Sequence, residues 1–361
     1  IHGRGYPVRR NRLRYVVVPS VPSQGLEDAH LRPAARRHTR GHGESGYTSG
    51  VAERTSSAEK QAARLERRQA ALALRPSMSP AGPAPERLRV ATWNLNSLRA
   101  RLPALERFLD RTQPDVVCLQ ETKAPGLSEA ATAVFDRLGF TAIHVGSGSY
   151  NGVAVAARHP IEDARSSGDF GDEALDREPR LASCLVHTPA GPVRVASVYV
   201  PHGRIVGHWH YEYKLAFLDA LTARTRRWVV DDPHVVVAGD FNVAATDSDV
   251  FHPDAFVNST HVTPPEREAL ARLLDCGLVD VDVALWGPRA RRFTWWNHGI
   301  GYSRNLGMRL DMIVSDKSLA DRLDTTWIDH TERGMDRPSD HAALLADFRS
   351  DLTAEPSRPL T

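Results

Sequence analysis

From residue 88 onward the sequence predicts an α/β layered sandwich, on two observations. Short apolar runs of strand length alternate with segments of helical periodicity. Carboxylates, amides and an imidazole recur where those runs end, as they do on the rim of a sheet. Strands this numerous, buried on one face and covered by helices on the other, build layers.

The elements follow in order. Residues 1–85 are rich in Arg, Gly, Ser and Pro with few aromatics. Such a stretch buries too little apolar surface to offset its ordering entropy, so most of it is expected to be disordered. Ser57 to Leu74 is the exception, because a Ser cap precedes an Ala-, Glu- and Arg-rich run suited to a helix. Prolines at 76, 80, 83 and 85 mark Pro76 to Pro85 as a linker. Beyond it, strands are expected at Leu88 to Trp93, Asp115 to Leu119, Gly152 to Ala156, Ala182 to His187, Val193 to Tyr199, His234 to Ala238, Phe293 to Trp296 and Arg309 to Val314. Helices fit Leu102 to Arg111, Trp209 to Arg227 and Pro265 to Cys276, the last opening on prolines and acids as helix starts do.

Charge is divided unevenly along the 361 residues. Residues 1–85 carry 15 basic and 6 acidic side chains (+9), leaving 31 basic and 38 acidic for the remainder (−7). A body with that balance does not grip phosphate by bulk charge; any nucleic-acid binding has to come from a local basic rim around acidic chemistry. No apolar run approaches the roughly 20 residues of a membrane-spanning helix, and Tyr15 to Val18 is too short for a secretory core. Cys118, Cys184 and Cys276 lie far apart and outside any Cys/His cluster, which predicts a reduced, cytoplasmic chain whose cysteines pack in the core.

Five places carry the chemistry. Asn94 and Asn96 follow the first strand, Glu121 the second, Asp240 and Asn242 the Val235 to Ala238 run; Asp311 lies within Arg309 to Val314, and Asp340 with His341 precedes Ala342. In Asp240-Phe241-Asn242 the two-residue spacing puts carboxylate and amide on one face. The carboxylate can take a proton from water, and the amide can hold a phosphoryl oxygen or the carboxylate itself. Hard oxygen donors such as Asn94, Glu121 and Asp340 suit magnesium, which keeps several waters and takes one or two carboxylates. Asp311, embedded among apolar residues, needs a partner, and His341 is the natural one: the carboxylate orients the imidazole and favours its cation.

Seven motifs occur in one order: Thr92-Trp93-Asn94-Leu95-Asn96, Leu119-Gln120-Glu121-Thr122-Lys123, Ser149-Tyr150-Asn151-Gly152, Tyr199-Val200-Pro201, Gly239-Asp240-Phe241-Asn242, Leu306-Gly307-Met308-Arg309-Leu310-Asp311 and Pro338-Ser339-Asp340-His341. Over about Arg87 to Phe348 the chain thereby resembles the exonuclease III family of AP endonucleases, within the endonuclease/exonuclease/phosphatase superfamily. The resemblance implies a DNase I-like four-layer α/β sandwich, two packed mixed sheets flanked by helices, with residues 86–349 as catalytic domain; it says nothing about residues 1–85, which composition marks as a basic, largely disordered extension with linker, and 350–361 is left as a tail.

It also implies magnesium-dependent cleavage, with manganese as substitute, of the phosphodiester 5′ to abasic sites. Exonuclease and 3′-phosphatase activity at blocked 3′ ends of duplex DNA go with it. Carried over residue by residue, Asn94, Glu121 and Asp340 fall at metal positions, Tyr199, Asp240, Asn242, Asp311 and His341 at catalytic ones. Asn151, His202, Arg204, Trp295, Met308 and Leu310 fall at DNA-contacting ones, the last trio with Trp295 as an abasic-sugar pocket. Adjacent Trp295 and Trp296 point to opposite faces, so at most one of them reaches the site, and the resemblance favours Trp295. His202 stands where asparagine is common, and Ala343 where proline is usual. The expected protein is a cytoplasmic monomer associated with the nucleoid through DNA, and not with membranes.

Two other readings remain open at this level. A superfamily member acting on a phospholipid or inositol phosphate shares Gly-Asp-Phe-Asn and Ser-Asp-His; Phe293 to Trp296 with Leu306 to Asp311 discriminates against it. A catalytically silent DNA-binding member would have lost acidic or imidazole positions, and none is lost here.

Overall fold

The computed structural model describes residues 15–17, 56–75, 87–148, 150–166, 170–189 and 191–350. The expected Pro76 to Pro85 linker, the tail from 351 and most of the extension expected to be disordered lie outside these residues.

Two mixed sheets lie at the centre. One runs in the order Tyr15–Val17, Thr141–Val145, Val153–Ala157, Val116–Gln120, Arg87–Asn94, Ala343–Arg349, Leu323–Asp329; the other runs Leu278–Asp280, Asp311–Asp316, Val235–Asp240, Gly191–Tyr199, Leu181–Thr188, Ile161–Ser166. Alternation along each strand sends neighbours to opposite faces. Thus Val116 and Cys118 join Ala182, Cys184, Val195, Val236 and Ile313 in the core between the sheets. Val117 and Leu119 face outward, under helices Leu98–Thr112 and Glu129–Arg137. The second sheet buries Ala196, Val198, Val235 and Val237 beneath Trp209–Asp231 and Pro264–Leu274. The result is the expected four-layer α/β sandwich.

Local sequence explains the element ends. Ser97 accepts from Ala100 N at the start of its helix, and Thr263 with Glu266 closes a capping box ahead of two prolines. Gly239 is required by close strand approach: a Cβ there would lie 1.9 Å from the Val198 carbonyl oxygen.

Several expectations shift. Tyr15–Val17, within the stretch expected to be disordered, adds as an edge strand parallel to Thr141–Val145, since even a three-residue run of an aromatic and two β-branched residues can complete an open ladder. The expected strand Phe293 to Trp296 shrinks to Trp295–Trp296, paired with Gly307–Met308. Asp311 opens its strand instead of lying inside it. Cys118 and Cys184 are core residues as expected, whereas Cys276 is half-exposed beyond its helix end. The helix at Ser57–Ala73 is present with its Ser56 cap, and no helix among the described residues is long and apolar enough to cross a membrane.

Candidate active site

The site sits where central strands of both sheets end. Asn94, fully buried at the end of Arg87–Asn94, donates Nδ2 to Glu121 Oε1 (2.9 Å) and to Asp240 Oδ2 (2.9 Å), so one amide joins the two sheets. Its Oδ1 accepts from Asn96 N. This arrangement departs from an oxygen donor for metal: with two carboxylates facing it, the amide satisfies them only by presenting its nitrogen.

Asp240 pairs in register with Asp311 on one side and Tyr199 on the other. Asp311 Oδ2 lies 2.8 Å from His341 Nδ1, and His341 Nε2 lies 3.7 Å from Asp240 Oδ2. All three are buried. Burial alone would lower His341, but Asp311 and Asp240 outweigh it and raise the imidazole to about 10. Burial, opposed by His341, pushes Asp240 up to about 7. The imidazole is therefore a cation held between two acids. Thr294 fixes the geometry: its Oγ1 accepts from the backbone N–H groups of Leu310 and Asp311, and its carbonyl accepts from Ala342 N.

Asn242 follows in the left-handed conformation (φ 50°), as does Glu121 (φ 48°); a strand that ends on such a residue turns sharply and leaves its side chain on the rim. Asn242 Nδ2 donates to the Val200 carbonyl and its backbone N–H to Asp240 Oδ1. Beneath it, the buried Lys214 ammonium donates to the Asn242 carbonyl (2.6 Å) and pairs with the buried Glu266. Burial would raise Glu266; Lys214 and hydrogen bonds from His261 and Thr263 instead hold it below the usual carboxylate range.

A second set of oxygens lies beside the first. Asp340 Oδ1 accepts from Asn96 Nδ2 (2.9 Å), and Lys123 Nζ bridges Asn96 Oδ1 (2.6 Å) and Glu121 Oε2 (2.8 Å). Burial would raise both acids, but His341 and Asn96 hold Asp340 low, and Lys123 with Asn94 holds Glu121 low. Among the described residues no three of His, Cys, Asp or Glu cluster closely enough to enclose a metal ion. Two low-lying carboxylates, Asp340 and a Glu121 whose Oε2 is shared with the Lys123 ammonium, nevertheless fit a hard cation that keeps most of its waters. Burial with the charges of Glu121 and Asp240 raises the Tyr199 phenol well above its ordinary value, so it remains a donor.

The outer residues divide. Asn151, Tyr199, His202 and Arg204 line one cavity of about 470 Å³ together with Glu178 and Arg180. Arg204 is exposed, while Asn151 donates to Glu178. His202 is engaged at both ring nitrogens: Nδ1 accepts from Arg204 N, and Nε2 lies 3.2 Å from His261 Nε2. Its imidazole has no nitrogen left for a phosphate in this arrangement. Trp296 is buried in the core, whereas Trp295 is half-buried and donates to Asp340 Oδ2 (3.2 Å). Met308 and Leu310 pack with Val250 in a small apolar cluster against Trp295, at 1% and 3% exposure, so they form a floor under the indole and not an open wall.

Sequence reasoning placed Asn96 among the strand-end residues without a role and named Lys123 only as part of a motif; both join the site. Lys214, Glu266 and His261 gave no signal, because they reach the site from two other helices and a loop.

A family model described as the Endonuclease/Exonuclease/phosphatase family matches residues 91–341. The chain is 28% identical over 274 residues to exodeoxyribonuclease III of Haemophilus influenzae, covering 73% of this chain and 100% of that protein. An AP endonuclease structure from Archaeoglobus fulgidus aligns at 33% identity and TM-score 0.67, over 72% of this chain and 99% of that one. A 3′ phosphatase from Neisseria bound to a product DNA hairpin aligns at 31% identity and TM-score 0.67, over the same shares.

Proposed function

The chain belongs to the endonuclease/exonuclease/phosphatase family and is a hydrolase of the nuclease type; from that premise we propose that it is a DNA repair nuclease cleaving the phosphodiester 5′ to abasic sites, with 3′-exonuclease and 3′-phosphatase activity. The observation that carries this reading is the buried Asp311–His341 pair aimed at Asp240, with Glu121 and Asp340 beside it. The named activities of the relatives support the substrate class.

Asp240, ionised, accepts the proton of an attacking water, and Asn242 keeps that carboxylate in place. His341, held cationic by Asp311, neutralises charge that develops on the phosphoryl oxygens. The Tyr199 phenol donates at the scissile phosphate. Glu121 and Asp340, with Asn94 tying Glu121 to Asp240, would hold magnesium, or manganese in its place, which supplies charge neutralisation at the leaving oxygen. Asn151 and Arg204 contact the DNA backbone, and Trp295 over Met308 and Leu310 receives the bare sugar.

Duplex DNA with one abasic analogue, incubated with the full chain with and without magnesium, tests the reading. Incision 5′ to the lesion that needs the metal is the expected result. Hydrolysis of an inositol phosphate or phospholipid with no cut in DNA would overturn it.

A further inference from the structure

The family model begins at residue 91, yet the helix Ser57–Ala73 is built onto the body. Ala71 is buried and belongs to the same apolar cluster as Trp296 and Tyr302, and Leu72 sits so close to Gly334 that a Cβ there would approach Leu72 Cδ2 to 2.7 Å. Arg75 donates to the Tyr302 carbonyl (2.8 Å) and lies over its ring; Arg68 donates to the Met335 carbonyl, and Gln61 to Asp336. These contacts place the helix on the segment 332–337. The next residue, Pro338, accepts from Arg101 through its carbonyl, and Asp340 follows two positions later. The helix therefore flanks the candidate active site.

The apolar side explains the docking, but not the other face. Lys60, Arg64 and Arg68 recur every four residues, which stacks like charges along one face and weakens an isolated helix. With Arg337 they border a cavity of about 320 Å³ in which Asp336 is the one carboxylate. Lys60 and Arg64 form no ion pair among the described residues. Asp336, already bonded by Gln61 and 4.0 Å from Arg337, is one negative charge against the four cations that border the cavity. By helix rise, positions 60 to 68 span roughly 12 Å, the length of about three or four phosphates on one strand of a duplex. A single small anion would leave most of the row uncompensated.

We infer that the Ser57–Ala73 helix is an additional phosphate-backbone contact, in which Lys60, Arg64, Arg68 and Arg337 grip a strand of the duplex flanking the cleavage site. This rests on the nuclease reading above. It supplies the local basic rim that an otherwise acidic body requires, from a segment outside the family match.

The test uses the full chain with Lys60→Ala and Arg64→Ala combined, both exposed, neither a docking contact, and both replaced by the best helix former. Binding to a duplex of about 30 base pairs carrying one abasic analogue is followed by fluorescence anisotropy in EDTA, across a salt series. The log-log salt slope should fall by roughly 1.8, at about 0.9 per lost phosphate contact, with the affinity gap widest at low salt. Lys60→Arg should keep the parent slope. An unchanged slope in the double variant overturns the inference, as does a loss of melting temperature that accounts for the weaker binding. A parent that cuts DNA while the double variant binds as tightly refutes this inference alone; a parent that neither binds nor cuts DNA refutes the nuclease reading and this one with it.

Discussion

Lys214→Met is expected to cost both stability and turnover, because Lys214 and Glu266 are an ion pair with both side chains at 0% exposure. Methionine matches the aliphatic stem but leaves the Glu266 carboxylate buried without its cation. Breaking one partner of such a pair costs about 3–5 kcal/mol. Glu266 keeps hydrogen bonds from His261 N, Thr260 Oγ1, Thr263 N and Thr263 Oγ1, which places the expected cost near the lower end, about 3 kcal/mol. At about 2–4 °C per kcal/mol for a domain of this size, the melting temperature should fall by roughly 10 °C. Removing the orphaned charge as well, with Glu266→Gln added, should return stability to within about 1–2 kcal/mol of the parent.

The pH dependence follows with a definite sign. In the parent, Glu266 is held below its ordinary value, so its contribution is complete above that value and is lost as pH falls through the folded one. In Lys214→Met the same carboxyl is raised by burial and gains a proton as pH falls. The deficit of the variant should therefore shrink toward acid pH. Turnover should drop too, since the Asn242 carbonyl loses its 2.6 Å donor and the turn carrying Asp240 and Asn242 loosens. Urea unfolding of parent, single and double variants across pH decides the matter. A single variant as stable as its parent, or a double variant worse than the single, would refute the reasoning.

Asp240→Asn removes the group proposed to take the water proton, so turnover should fall by orders of magnitude; in the parent, where Asp240 is pushed up to about 7, kcat should decline as pH drops below about 7, and a flat acid limb would count against that role. Glu121→Gln should raise the half-saturating magnesium concentration by roughly ten-fold or more; full activity at limiting magnesium would remove Glu121 from the metal site. Trp295→Ala should lower incision at an abasic analogue and narrow the preference over undamaged duplex, because a bare sugar loses its indole wall while Met308 and Leu310 remain as floor. The same change should shift magnesium dependence modestly, since the indole N–H is a donor to Asp340; an unchanged preference ratio on matched duplexes would place selectivity elsewhere.

Sequence alone determined the fold class, because strand-length Val-rich runs with helical segments between them have few ways to bury their faces other than layers. It also determined the candidate site, since Asn94, Glu121, Asp240, Asn242, Asp311, Asp340 and His341 stand at or beside strand ends, and such ends converge on one rim. Even the Asp311–His341 pair was legible, because a carboxylate among apolar residues demands a partner. Tertiary structure alone decided the rest. Which atom of Asn94 faces the carboxylates depends on Glu121 and Asp240 arriving from two different strands. That His202 spends both nitrogens within the protein depends on His261, 59 residues away. The Ser57–Ala73 helix is legible from its cap and composition, but neither its docking beside Asp336 nor the place of Lys214 beneath Asn242 leaves a local pattern, because each depends on a partner far along the chain. Spacing encodes which face a side chain takes on its own element, whereas the identity of what waits across that face is fixed only when the sheets and helices pack.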